Sequence, residues 1–135
     1  MPPARRRADL DGPDYYPTPR WATHALIDNE EFTGEIWECA CGDGAMAEVL
    51  AETRNDVFSS DLYDRRYGEA GLDFLSTERS AQNIITNPQF HSAEGFVSTG
   101  LEHARGKLDL LLRLAFLESG HRNRTIFDRC PPSRV

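Results

Sequence analysis

The sequence has little of what several protein classes require. It holds three cysteines in 135 residues, an odd number. Cys39 and Cys41 sit two positions apart and Cys130 is distant, so neither a disulfide framework nor a paired zinc spacing is present. A reducing, cytoplasmic setting is the default expectation. No apolar run approaches the roughly 20 residues that cross a bilayer, and no membrane association is expected. Arg5, Arg6 and Arg7 are not followed by an apolar stretch, which argues against a signal peptide. His24, His91, His103 and His121 show no ligand spacing, so no metal is expected. Internal repeats and low-complexity segments are missing too. Positive charge is short: the formal net charge is −7. That argues against a surface given over wholly to nucleic acid, because phosphate contacts need clustered Lys and Arg.

What is there suffices for one domain. The chain is 39% hydrophobic, outside the disordered range. A chain of this length buries about two-thirds of the surface it exposes when unfolded. Its charge is uneven. Arg5 to Arg7 form a basic stretch within residues 1–15, which lack periodicity and are expected to be a flexible arm. Arg113, Arg122, Arg124, Arg129 and Arg134 crowd residues 113–135, in the last quarter, against only Glu118 and Asp128. These cations fit either a solvated helix face or an edge that contacts phosphates. The domain itself is expected over residues 16–135.

Hydrophobic spacing predicts alternating elements. Thr18-Pro19 reads as a hydroxyl N-cap followed by proline at the first helical position. Trp21, Ala25, Leu26 and Ile27 would face inward from that helix. Residues 35–40 read as a strand, Cys41-Gly42-Asp43-Gly44 as a turn, and Ala45 to Arg54 as a helix. Val57 to Leu62 and Asn83 to Thr86 read as strands, with Asn87-Pro88 closing the second. Leu72 to Leu75 is a short apolar segment. Ser92 to Arg105 reads as a helix with Phe96, Val97, Leu101 and Ala104 inward. Leu108 to Leu114 reads as a buried strand, and Gly120 to Arg129 as a short helix. Trp21 and Trp37 are expected in the core. Alternation of this kind specifies an α/β fold: an open, mostly parallel Rossmann-like sheet with helices on both faces. Ligands of such sheets bind beyond the carboxyl ends of the strands, where strand order reverses.

Four features fall at those strand ends. Gly42 and Gly44 permit a sharp turn, and the helix that follows offers free N–H groups that suit a carboxylate. Asp61 closes the second strand about 20 residues on, where a carboxylate accepts both ribose hydroxyls; a helix N-cap is the plainer alternative. Asp73 can accept from an adenine amino group and Phe74 can stack on its ring, or they are a turn cap and a core side chain. Asn87 and the carbonyl of Pro88 can both accept from one NH2 group and so aim its lone pair, with Phe90 free to stack on a flat substrate. A strand-ending Asn-Pro turn is the plainer reading of that segment. Cys39 and Cys41 read as small core or turn residues.

In order and spacing, Cys41-Gly42-Asp43-Gly44, Asp61, Asp73-Phe74 and Asn87-Pro88-Gln89-Phe90 resemble the motif series of class I S-adenosylmethionine-dependent methyltransferases. The last resembles the Asn-Pro-Pro-aromatic signature of amino-methyltransferases, above all phage-type DNA adenine-N6 enzymes. Tyr16-Pro17-Thr18-Pro19 resembles their element beside the methionine end of the cofactor. The resemblance spans roughly Tyr15 to Leu117. It implies S-adenosyl-L-methionine as cofactor, with Tyr16, Thr18, Cys41, Gly42 and Gly44 around its methionine part. Asp61 would take the ribose, and Asp73 and Phe74 the adenine. It also implies that Asn87, Pro88, Gln89 and Phe90 hold an adenine extruded from DNA, with no metal needed.

Two departures qualify that implication. Gln89 stands where the family has a second proline, so Pro88 loses a restraint on its geometry. The chain also stops at Val135, before the further strands and target-recognition region of family members. The sheet is therefore expected to be incomplete at its C-terminal end, with an open edge. Three readings follow: a methyltransferase on DNA adenine, one on a protein glutamine or an RNA base, or an inactive cofactor-binding remnant or subunit that needs a completing chain.

Overall fold

A computed structural model describes residues 16–53 and 55–135. The expected arm at residues 1–15 lies outside the described residues, as does Arg54. The elements, in chain order, are α1 (Arg20–Asn29), β1 (Ile36–Glu38), α2 (Ala45–Ala51), β2 (Val57–Asp61), β3 (Glu69–Ala70), β4 (Ala81–Thr86), α3 (Ala93–His103) and β5 (Ala104–Leu110). Short 3-10 turns at Phe74–Ser76, Phe90–Ser92 and Leu114–Glu118 link them. A helical turn at Gly120–Arg122 runs on as a π turn at Asn123–Phe127.

The five strands form one sheet in the order β3-β2-β1-β4-β5, and every pair is parallel. Neighbours β2 and β4 flank β1, so strand order reverses there and opens a crevice beyond the carboxyl ends. The period of two then sorts the core. Ile36, Val57 and Ile85 pack with Met46, Leu50, Leu26 and Ile27 from α2 and α1. Trp37, Phe58 and Ile84 face the other way, onto Phe74 and Phe96. With both faces covered, all three residues of β1 are buried, the closing Glu38 included. A third cluster joins Ala93 and Val97 of α3 to Phe116 and Ile126.

Gly44 begins α2 at φ +92°, and a Cβ there would meet the Tyr67 ring at 2.5 Å. Only glycine accepts both that dihedral and that contact. On α3, Gly100 lets Leu108 of β5 come as close as 2.6 Å to where a Cβ would stand.

Several elements differ from the sequence-based expectation. α1 starts at Arg20, with Pro19 as the N-cap and no side-chain cap bond. Its inward residues are Thr23, buried, and half-buried Ala22, Leu26 and Ile27. Trp21 is 74% exposed, so its place is the surface and not the core. Leu26 and Ile27 face inward as expected, while Ala25, also expected inward, is exposed and Thr23 takes the buried place. α3 ends at His103 and β5 takes over at Ala104, earlier than the expected Leu108. The cause is pairing. β4 begins at Ala81, which pairs with Ala104, and it ends at Thr86, which pairs with Leu110. An irregularity between Ala81 and Asn83 absorbs one extra residue of β5. Beyond Leu111, whose N–H donates to the Thr86 carbonyl, the Asn87-Pro88 break leaves no ladder for Leu112–Leu114. β5 is accordingly half-buried, and Leu101, expected inward, is 44% exposed. β3 was not foreseen, because its two exposed residues carry no apolar signal. Among the described residues no helix is long and apolar enough to cross a membrane.

The two tryptophans offer a contrast. Trp37 is fully buried, donates to Ser60 Oγ at 2.8 Å and meets Phe74 edge-on at 5.2 Å. Trp37→Ala should cost about 3–5 kcal/mol in urea denaturation. Trp21→Ala should stay within about 0.5 kcal/mol of the parent.

Candidate functional site

The crevice holds a cavity of about 340 Å3, within the range of small-molecule sites. Its walls come from the segments that follow β1, β2, β4 and β5, and from the chain leading into α1. Of the residues singled out from sequence, Tyr16, Thr18, Cys41, Gly42, Asp61, Asp73 and Phe74 line it. The whole segment Asn87-Pro88-Gln89-Phe90 lines it as well. Gly44 does not. It shapes the turn from behind, under Tyr67.

Asp61 organises the floor. One carboxylate oxygen accepts the Gly42 N–H at 2.8 Å. The other accepts the Tyr63 N–H at 2.9 Å and a guanidinium N–H of Arg65 at 3.1 Å. The Arg65 and Asp61 side chains are only 5% and 8% exposed, so this ion pair is a buried one. Neither the helix N-cap alternative nor a solvent-facing carboxylate describes it. Sequence reasoning missed Arg65, whose only signal was its place four residues after Asp61.

Glu38 was also missed as a site residue. It closes β1, lines the cavity and is fully buried. Thr86 Oγ1 and the Ala40 N–H both donate to its Oε1. Burial pushes its carboxyl up to about 7; the Thr86 and Ala40 hydrogen bonds hold it down, and Asp61 adds repulsion. The signal available was an acid ending an otherwise apolar strand. Burial likewise pushes the Cys41 thiol up to about 12 and Cys39 well above its ordinary value. Neither is a thiolate near neutrality, in line with a core or turn role.

Asp73 Oδ1 caps its own turn, accepting the Leu75 N–H at 3.0 Å. Phe74 is the core side chain of the two alternatives left open. It is 2% exposed, edge-on to Trp37 and stacked on Phe96 at 4.9 Å. It lends the cavity part of its wall, while Leu62 and Tyr63, about half exposed, stand at the rim.

Beyond β4, the Asn87 amide is oriented from behind. Its Nδ2 donates to Thr18 Oγ1 at 3.0 Å and to the Tyr16 carbonyl at 3.4 Å. A carbonyl only accepts, so the amide nitrogen must face this segment, and Oδ1 is left for other donors. Thr18 therefore serves Asn87 and not the helix, which corrects the N-cap expectation. Gln89 adopts φ −61° and ψ 142°, the backbone that a proline imposes. The departure from Asn-Pro-Pro is thus absorbed locally. Phe90 is not an open platform. The Arg113 guanidinium lies 3.8 Å from its ring centroid, and Tyr16 tilts against it at 6.0 Å.

The basic last quarter divides. Arg122 pairs with Glu94 and covers Phe116, and Arg134 pairs with Glu30, as solvated structural contacts do. Arg113 alone of that group lines the cavity. Among the described residues, no three His, Cys, Asp or Glu side chains are grouped to hold a metal.

No family model and no curated protein matches the sequence. Solved structures do. Two of a glycopeptide N-methyltransferase, MtfA, one of them complexed with S-adenosyl-L-methionine, superpose with a TM-score of 0.56 at 14% identity. Each covers 80% of this chain, and the match spans 59% and 62% of the respective neighbour. The chain thus spans about three-fifths of the structures it matches. The likeness establishes the fold alone: an open, mostly parallel α/β sheet with helices packed on it.

Glu38 makes stability depend on pH in a definite direction. Its folded value of about 7 lies above the ordinary 4.5, so folding favours the protonated form. That contribution is complete below about pH 4.5 and is lost as pH rises through about 7. The unfolding free energy from urea denaturation should fall across this window by about 3 kcal/mol, and Glu38→Gln should flatten the profile. Separately, Gln89→Pro should leave stability unchanged or raise it by up to about 1 kcal/mol, since the backbone is already in place.

Proposed function

We propose that this chain binds S-adenosylmethionine in the cavity and carries out methyl transfer to an exocyclic amine, with adenine N6 in DNA as the best-suited target. The observation that carries the reading is the fixed Asn87 amide. With Nδ2 committed to Thr18 and Tyr16, Oδ1 is the atom presented to a target NH2 group. Two acceptors, Oδ1 and the Pro88 carbonyl, would take both amine hydrogens and leave the nitrogen lone pair directed along the remaining axis.

The cavity suits the cofactor chemically. Glu38, Asp61 and Asp73 line it beside Arg65 and Arg113 and supply acceptors for hydroxyl and amino groups, while the Gly42 turn leaves backbone room. Asp61 and Asp73 would hold the ribose and adenine, and Tyr16, Thr18 and Cys41 the methionine portion. When bound, the cofactor supplies an electrophilic methyl on a sulfonium, so no metal is needed for the transfer. The residues of the chain contribute alignment and exclusion of water, worth several orders of magnitude in rate when the reacting atoms are held in line. Phe90 would stack on the extruded ring.

A glutamine side chain or an RNA base presents the same amine chemistry and remains a rival target. A second reading, an inactive cofactor-binding unit completed by another chain, is favoured by one observation. Leu111 and Leu114 are 41% and 71% exposed next to β5, the outermost strand on that side of the sheet.

Titration calorimetry with S-adenosylmethionine tests the first step. Saturable binding is expected, weakened at least about tenfold by Asp61→Asn, which preserves the shape of the side chain but not its charge. Labelled methyl should then appear in adenine-containing DNA, and Asn87→Ala should abolish transfer while sparing cofactor affinity. Label in protein and not in DNA would exclude the DNA target. A folded chain that binds no cofactor would overturn the reading.

A further inference from the structure

The Arg113–Phe90 stack is a contact that the proposed chemistry does not use and in its present form opposes. A guanidinium 3.8 Å from the ring centroid is in van der Waals contact, so no second planar group fits between them. Yet Phe90 is the ring placed to receive a flat target. Arg113 is also set apart as the arginine that lines the cavity without a carboxylate partner among the described residues. Arg65, Arg79, Arg122 and Arg134 each have a carboxylate partner. Among the described residues Arg113 has none within 4.0 Å, and its residue is exposed. Its backbone, by contrast, is tied: its carbonyl accepts the Phe116 N–H, and two residues earlier Leu111 is bonded to Thr86. The side chain can therefore leave the ring with no backbone rearrangement.

We propose that Arg113 is a displaceable cap on Phe90 that sets specificity for a planar target carrying a neighbouring anion. This rests on reading the cavity as a methyltransferase site. In the free protein the guanidinium holds the stacking face of Phe90 through a cation–π contact. A target ring takes its place, and the freed guanidinium, which has no carboxylate to return to, pairs with a phosphate beside the target. An uncharged ring must break the contact with nothing in exchange. A glutamine side chain brings neither ring nor anion, so the cap disfavours it. The flat, delocalised guanidinium suits both states, since it stacks on rings and pairs with phosphate alike.

The cap makes an opposite-sign prediction. Binding of adenosine, and separately of a short single-stranded oligodeoxynucleotide containing adenine, is measured calorimetrically with S-adenosylhomocysteine at saturation. Arg113→Ala should bind adenosine about threefold more tightly, because no cation–π contact has to be broken. The same variant should bind the oligonucleotide about tenfold more weakly, with a salt slope less negative by about 0.7. Arg113→Gln, which keeps most of the stem, should behave alike and controls for lost packing. Both ligands weakening together, or neither changing, would overturn the cap. So would absence of adenosine binding to both parent and variant. Cofactor binding measured in the same samples tells that failure from failure of the methyltransferase reading.

Discussion

The site depends on one carboxylate. Asp61 sits at the end of β2 and reaches across to the Gly42 N–H at the end of β1, while its other oxygen gathers Tyr63 and Arg65. Two strand ends and the loop after the second are fastened by a single side chain. Three charge-assisted bonds converge on a group almost shut off from water, so each is stronger than a surface equivalent. The Gly42 turn is held in position by the bond from its N–H to the Asp61 carboxylate. The cavity floor is therefore an electrostatic construction on a hydrophobic sheet.

A second acid lies beneath the first. Glu38 is buried against Thr86 and close enough to Asp61 to feel its charge. The two carboxylates respond differently to similar burial. Asp61 has a guanidinium partner; Glu38 has only neutral donors and is pushed toward its protonated form.

Much of this was legible in the sequence, for definite reasons. The succession of elements along the chain and the strand-end motifs follow from apolar runs of β length that close on polar or glycine residues, a local signal. The chain positions of Gly42, Asp61, Asp73 and Asn87 were readable for the same cause. What could not be read were contacts that require the fold. The partner of Thr18 is 69 residues away, and nothing near Thr18 distinguishes a cap from a brace for Asn87. The boundary between α3 and β5 is set by where β4 starts, not by propensity in residues 104–107. Trp21 looked like core because large aromatic residues usually are. Phe90 was read as an open ring because no local rule places Arg113 over it.

The brace on Asn87 has a kinetic side. An amide has donor and acceptor at opposite corners of one plane, and a half-turn about its last bond exchanges them. Among the described residues, the bonds to Tyr16 and Thr18 oppose that half-turn, and both come from the four residues preceding α1. Local opening of that short segment, with the sheet untouched, would let the amide spin. It would then offer a hydrogen where the target amine needs a lone pair. The competence of the site is thereby tied to the fraying equilibrium of one chain segment, whose rate can be followed by amide hydrogen exchange.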